Sequence, residues 1–206
     1  MRSGRVGLVT GCLALALSGC GGPTTDGASG PPAAGSAVTP PGLPVSGGPP
    51  APAVLDPTAA PEPESVAIPA IGVRSALLDL CLAADGTAEV PADFSAAGWF
   101  TGGGRPGSRG PTVLLGHVDS TAGPGVFYAL RDLRPGDVVE VTVGGGSIAR
   151  YAVTRSEQVP KDEFPTVAVF GATAADVLRL VTCTGEFDRG ARSYVDNLVV
   201  TAERLP

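Results

Sequence analysis

Beyond Glu64 the apolar positions come in short bursts cut by glycine and proline, the rhythm of strands joined by turns. Ser65–Val73 carries β-branched residues around Pro69, and Pro111–Gly116 holds the run Val113-Leu114-Leu115. In Asp137–Val143 the residues Val139, Val141 and Val143 recur every second position, which puts them on one face of a strand. Ile148–Val159 sets Ile148, Tyr151 and Val153 among polar neighbours, and Val177–Thr182 and Tyr194–Ala202 complete the series. The breaks are Gly102-Gly103-Gly104, Arg134-Pro135-Gly136-Asp137 and Gly144-Gly145-Gly146, the last a hairpin turn. Short helical segments are expected near Val126–Leu130 and Ala172–Asp176. Short strands at regular spacing predict a mainly β domain, a closed barrel or a sandwich.

The start of the chain follows a different pattern. Arg2 and Arg5 precede Val6–Leu17, an uncharged and mostly apolar run of 12 residues. A membrane-crossing helix needs about 20, so the run reads as the core of a secretory signal. It ends in Leu17-Ser18-Gly19-Cys20, which resembles the bacterial lipobox, where the cysteine takes lipid and becomes the mature N-terminus. Residues 21–63 then hold 12 Pro, 8 Gly and no aromatic residue, too little apolar surface to offset the entropy of ordering. The expected organisation is a signal peptide at 1–19, a lipidated N-terminus with a disordered Pro/Gly-rich linker at 20–64, and one folded domain at 65–206. Localisation would be extracytoplasmic, with Cys20 holding the domain to the membrane.

Composition narrows the function. Net charge is −6, and no basic block lies outside the signal, which argues against nucleic acid as a partner. Ala, Gly, Pro and Arg are abundant and lysine is scarce, as in high-GC genomes such as those of actinobacteria. Of four cysteines, Cys12 falls in the signal and Cys20 in the lipobox. Cys81 and Cys183 remain in an oxidising compartment. They could form one disulfide, or one could be a packed core residue and the other reactive; Cys81, within Leu78-Asp79-Leu80-Cys81-Leu82, reads as core packing.

His117 is the only histidine and ends an apolar strand, Leu114-Leu115-Gly116-His117. Cys183 holds the same kind of place after Leu178-Arg179-Leu180-Val181-Thr182. A strand end is rigid and opens on solvent, which suits a reactive group. A cysteine nucleophile needs a proton partner within reach, because the thiolate is the reactive form. One cysteine and one histidine are too few ligands for zinc, so no metal and no cofactor is implied.

Thr112-Val113-Leu114-Leu115-Gly116-His117 and Leu180-Val181-Thr182-Cys183 resemble the two signatures of sortases, in the family's order. Ile68-Pro69-Ala70-Ile71 looks like the family's opening strand. Gly98-Trp99-Phe100, Pro106-Gly107, Gly116-His117-Val118-Asp119-Ser120, Phe127-Tyr128-Ala129-Leu130, Gly136-Asp137, Phe164-Pro165 and Phe187-Asp188 through Tyr194 to Asp196-Asn197-Leu198-Val199-Val200 resemble class F sortases of actinobacteria. The resemblance implies a sortase-type closed β-barrel with short helices. It also implies a cysteine transpeptidase that cuts Leu-Pro-x-Thr-Gly-like sorting signals of surface proteins. Cys183 would form the thioester, His117 would carry the proton, and an amine of a cell-wall precursor or protein would accept the acyl group.

The family's third residue, an oxyanion-stabilising arginine, has no single match. The usual position falls near Asn197, and the nearby candidates are Arg192, preferred because it lies closer to the final strand, and Arg189. Thr184 follows the cysteine where class F commonly has glycine. Trp99 and Phe100 read as core aromatics, with a peptide groove as the alternative, and Asp119 and Ser120 as turn residues, with orientation of His117 as the alternative. Two other functions stay open at this point: a cysteine hydrolase without transfer, and a catalytically silent lipoprotein that binds envelope peptides.

Overall fold

The computed structural model describes residues 60–206. The expected signal peptide, Cys20 and the linker up to residue 59 lie outside the described residues. Ten strands are present among those described: β1 (Pro63–Ile68), β2 (Val73–Leu80), β3 (Ala97–Phe100), β4 (Gly110–Gly116), β5 (Asp119–Ser120), β6 (Gly123–Pro124), β7 (Val138–Val143), β8 (Ile148–Pro160), β9 (Asp176–Asp188) and β10 (Ser193–Arg204). Eight of them close into a barrel in the order β1-β2-β3-β4-β9-β10-β8-β7, while β5 and β6 form a small separate ribbon. The barrel is antiparallel except where β2 meets β3 and β4 meets β9. Closure leaves no open sheet edge to satisfy.

Alternation along the strands sorts side chains into two clusters. Leu114, Leu178, Leu180, Leu198 and Val200 point inward and pack with Trp99, Phe127, Tyr151 and with Val139 and Val141 of β7. Val113, Leu115, Val181 and Val199, their neighbours in sequence, point outward and pack with Leu80, Phe100 and Val169. Val169 belongs to α1 (Thr166–Phe170), which lies over this outer face. Strand β4 is therefore buried along its whole length, and reads as continuous apolar sequence rather than as alternation.

Several expectations are corrected. Ser65–Val73 is not one strand: Pro69 opens a 3-10 turn, Pro69–Ile71, closed by Gly72 at φ 68°. The segment around Ala172–Asp176 is not helical; helix α1 lies just before it, follows Pro165 and ends at Gly171, and Asp176 already begins β9. Near Val126–Leu130 the helical turn is 3-10 and runs Tyr128–Asp132. Cys81 is exposed rather than packed, because the chain leaves the barrel directly after Leu80, the last residue of β2. Its sulfur sits 3.6 Å from the Thr101 Oγ1. Both Cys81 and Cys183 are free thiols.

Candidate active site

The outer face of the barrel carries the site. In the parallel pair β4/β9, Leu115 is opposite Val181. The interval from one to the other equals the interval from His117 to Cys183, so His117, just past the end of β4, and Cys183, within β9, lie at the same end of this pair and line one cleft. Neighbouring strands lie about 4.8 Å apart. Val181 belongs to the outer cluster, and Cys183, two residues on, faces the same way. On the other side of β9, Cys183 is the direct partner of Asn197 in β10, and Asn197 is in turn the partner of Val159 in β8. One transverse row across β9, β10 and β8 thus contains Cys183, Asn197 and Val159, and His117 is the first residue past the end of β4.

A cleft of about 850 Å³ opens over this row. Leu82, Val90, Phe100, Phe164, Phe170 and Val181 make its apolar lining. His117, Lys161, Cys183 and Asn197 are the principal polar groups facing it. The shape and lining suit an extended peptide with apolar side chains. Phe100 lines the cleft while almost fully buried, whereas Trp99 points into the barrel and donates from its indole nitrogen to the Gly104 carbonyl at 3.2 Å. The two aromatics therefore have different jobs.

The imidazole of His117 is held from outside the barrel. Its Nε2 lies 2.7 Å from the Pro91 carbonyl oxygen, and its ring centroid is 4.2 Å from that of Phe94. A carbonyl accepting from Nε2–H leaves Nδ1 to exchange protons in the cleft. Asp119 does not bond to the imidazole; it accepts a hydrogen bond of 2.5 Å from the Tyr194 hydroxyl. That bond, helped by the carboxylate charge, pushes ionisation of the Tyr194 phenol above its ordinary range. Ser120 serves the turn, accepting from the Ala122 amide at 3.1 Å.

Arg189 and Arg192 both sit on the exposed turn between β9 and β10, and neither lines the cleft. Asn197 does. Thr184 pairs with Asp196 at the edge of a register shift, so threonine is accommodated there; the positive φ beside it, 85°, belongs to Gly185. Two features were not singled out from sequence: the loop between β2 and β3, whose Pro91 and Phe94 grip His117, and Lys161, the only lysine of the chain. Lysine scarcity was a usable signal for the second. The first depends on a chain reversal that no local pattern announces. Among the described residues no group of three or more His, Cys, Asp and Glu is placed to hold a metal ion, and no helix is long and apolar enough to cross a membrane.

A family model described as "Sortase domain" matches residues 66–205. Sortase C-1 from Actinomyces oris is similar in structure, with a TM-score of 0.51 and 26% identity over 69% of this chain and 73% of that one. Sortase C1 from Streptococcus agalactiae matches at TM-score 0.54 and 24% identity, over 69% of this chain and 67% of that one. Sortase A from Corynebacterium diphtheriae matches at TM-score 0.54 and 22% identity, over 69% of this chain; the match spans 60% of the Corynebacterium chain. These likenesses concern the eight-stranded barrel described above. No curated protein sequence matches the chain.

Proposed function

The chain belongs to the sortase family of cysteine transpeptidases, and on that premise we propose that it transfers acyl groups in two steps, with Cys183 as nucleophile and His117 as proton carrier. One observation carries the assignment of roles: the free Cys183 thiol of β9 and the His117 imidazole, just past the end of the adjacent strand β4, line the same cleft. In the first step the Cys183 thiol proton passes to His117, the sulfur bonds to a substrate backbone carbonyl carbon, and the carbonyl π pair moves onto oxygen. Collapse breaks the C–N bond, and His117 gives its proton to the departing amine. In the second step an amine attacks the thioester, its proton passes to His117, and the Cys183 sulfur leaves.

The substrate would be a Leu-Pro-x-Thr-Gly-like sorting signal of a surface protein, whose leucine and proline suit the apolar lining of the cleft. The acceptor would be an amine of a cell-wall precursor or of a protein. The spaced matches around Trp99, Asp119, Phe164 and the final strand favour class F within the family. Asn197 is the nearest polar partner of Cys183 for the developing oxyanion, since Arg192 or Arg189 would serve only if their turn folded over the cleft. The lipobox-like Leu17–Cys20 supports an extracytoplasmic domain attached to the membrane through lipid on Cys20, and loss of fatty-acid label from Cys20→Ala would test that attachment.

The functional test is mass spectrometry of the full chain with a Leu-Pro-x-Thr-Gly peptide, with and without an added amine. A thioester on Cys183 and an amine adduct of the peptide are expected. Turnover surviving Cys183→Ala would overturn the assignment, and peptide acid as sole product at every amine concentration would make the protein a hydrolase.

A further inference from the structure

The pairing of β4 with β9 ends at Leu115 opposite Val181, so His117 lies two residues beyond the paired stretch. A misplacement of about 1 Å at a reacting group can cost roughly two orders of magnitude in rate. The segment that carries the imidazole therefore needs a tie of its own to the part of the barrel that carries the sulfur.

Residues 117–120 are held by three sets of bonds. The Phe127 amide donates to the His117 carbonyl and the Gly125 amide to the Val118 carbonyl, each at 2.9 Å. The Pro91 carbonyl lies 2.7 Å from His117 Nε2. These bonds lead to loops around the site, not to β9 or β10. The third tie does lead there. The Tyr194 hydroxyl donates to Asp119 Oδ2 at 2.5 Å, across 75 residues of sequence, and a hydroxyl bound to a carboxylate makes a charge-assisted bond. Among the described residues it is the only hydrogen bond from residues 117–120 to the β9–β10 hairpin.

Tyr194 is well seated to serve as an anchor. It is the second residue of β10, sits opposite Phe187 of β9, and meets the Phe187 ring edge-on at 5.2 Å between centroids. In the order β4-β9-β10, its side chain reaches from one side of β9 to the segment that leaves β4 on the other. The sulfur lies close to this crossing. Val118, between His117 and Asp119, lines a small cavity together with Cys183 and Thr184. The Asp119 hydrogen bond is the main cause that holds the Tyr194 phenol above its ordinary range, and charge on Cys183 adds to it. The phenol is thus uncharged at neutral pH, and removing its hydroxyl alters geometry without altering charge.

We propose that Tyr194 is a positioning residue: through Asp119 it clasps the chain just past His117 to the β9–β10 hairpin, and so fixes the imidazole against Cys183. Asp119 acts on the backbone of this segment rather than on the imidazole. The catalytic consequence rests on the acyl-transfer reading above. The placement of the imidazole does not, and His117, as the only histidine in the chain, reports it alone.

The test pairs two measurements on the full-length protein. With sorting peptide and amine, Tyr194→Phe should lower kcat about tenfold with KM within about twofold, while the melting temperature falls by only a few degrees. Asp119→Ala should do the same, and the double variant should lose no more than either alone, because both cut one bond. Asp119→Asn, which keeps an acceptor oxygen for Tyr194, should restore most of the rate lost in Asp119→Ala. In the second measurement, the nuclear magnetic resonance signal of the His117 Cε1–H should move in Tyr194→Phe. Should Tyr194→Phe fail to fold, Asp119→Ala severs the same bond from the other side. An unmoved His117 signal, losses that add in the double variant, a loss carried by KM, or an unchanged kcat alongside an inactive Cys183→Ala overturns the clasp and leaves the transpeptidase standing. A His117 signal that moves in a protein that turns over no sorting peptide keeps the clasp and removes the acyl-transfer reading.

Discussion

His117 and Cys183 stand at the interval that sets the parallel register of β4 against β9. Cys183 lies within β9, while His117 is the first residue past the end of β4, its carbonyl accepting from the Phe127 amide at 2.9 Å. Gly116 is the hinge of this arrangement. A Cβ there would meet Val126 Cγ1 at 2.6 Å and Phe127 Cδ2 at 2.7 Å. Gly116→Ala should push the β4 end away from the core, lowering stability by about 1–3 kcal/mol in urea unfolding and cutting kcat at least tenfold by displacing His117. Full activity in that variant would show that the end of β4 does not set the pair.

Phe94 packs on the imidazole but is itself 43% exposed. Phe94→Ala should therefore cost about 1 kcal/mol or less in stability. Its effect on kcat should be larger than its effect on melting suggests, because the ring then keeps only the Pro91 carbonyl to fix its orientation. Steady-state kinetics alongside thermal unfolding separates the two.

The Tyr151 hydroxyl donates to Asp176 at 2.8 Å inside the barrel end, where the Arg204 guanidinium carbon lies 5.5 Å from the Tyr151 ring. Burial first, then the Asp176 hydrogen bond and charge, push Tyr151 ionisation far above the ordinary phenol range. The folded chain holds this proton more tightly than the unfolded chain does. Its contribution to stability is complete below the unfolded phenol pKa of about 10 and drains away as pH rises further, by up to about 1.4 kcal/mol per pH unit. Urea unfolding from pH 8 to 11 should show that alkaline loss. Tyr151→Phe should be less stable at neutral pH by about 1 kcal/mol and should lose less on going alkaline.

Cys81 is exposed, so Cys81→Ser should change stability by about 0.5 kcal/mol or less and leave turnover unaltered. A large stability loss in unfolding curves would mean that the thiol packs after all.

Legibility followed backbone against side chain. Strands β4, β7, β8 and β10 announced themselves through apolar runs or alternation, although in β8 the buried face is Ala149, Tyr151 and Val153 and Ile148 is exposed. Strand β3 did not: Ala97 and Gly98 are small, and Gly98 sits under Leu80. Strand β9 runs to Asp188, well past Thr182, because Thr184, Phe187 and Asp188 pair with Asp196, Tyr194 and Ser193 of β10 across a register shift, in a stretch with no buried residue. Helix α1 lies ahead of the expected Ala172–Asp176 segment because five residues give no periodicity. In the site, Cys183 and His117 could be named from residue type and position. Lys161 could not, since its place depends on β8, β10 and β9 lying side by side.

Because every second residue of β9 turns to opposite sides of the wall, the chemistry and the keystone of the barrel occupy alternate beads of one string. Leu178 and Leu180 hold the structure up, while Val181 and Cys183 meet the outside. Evolution can then recut the substrate channel through the 81–96 loop, α1 and the β8 exit without touching the interior. One durable frame can in this way serve many peptide customers.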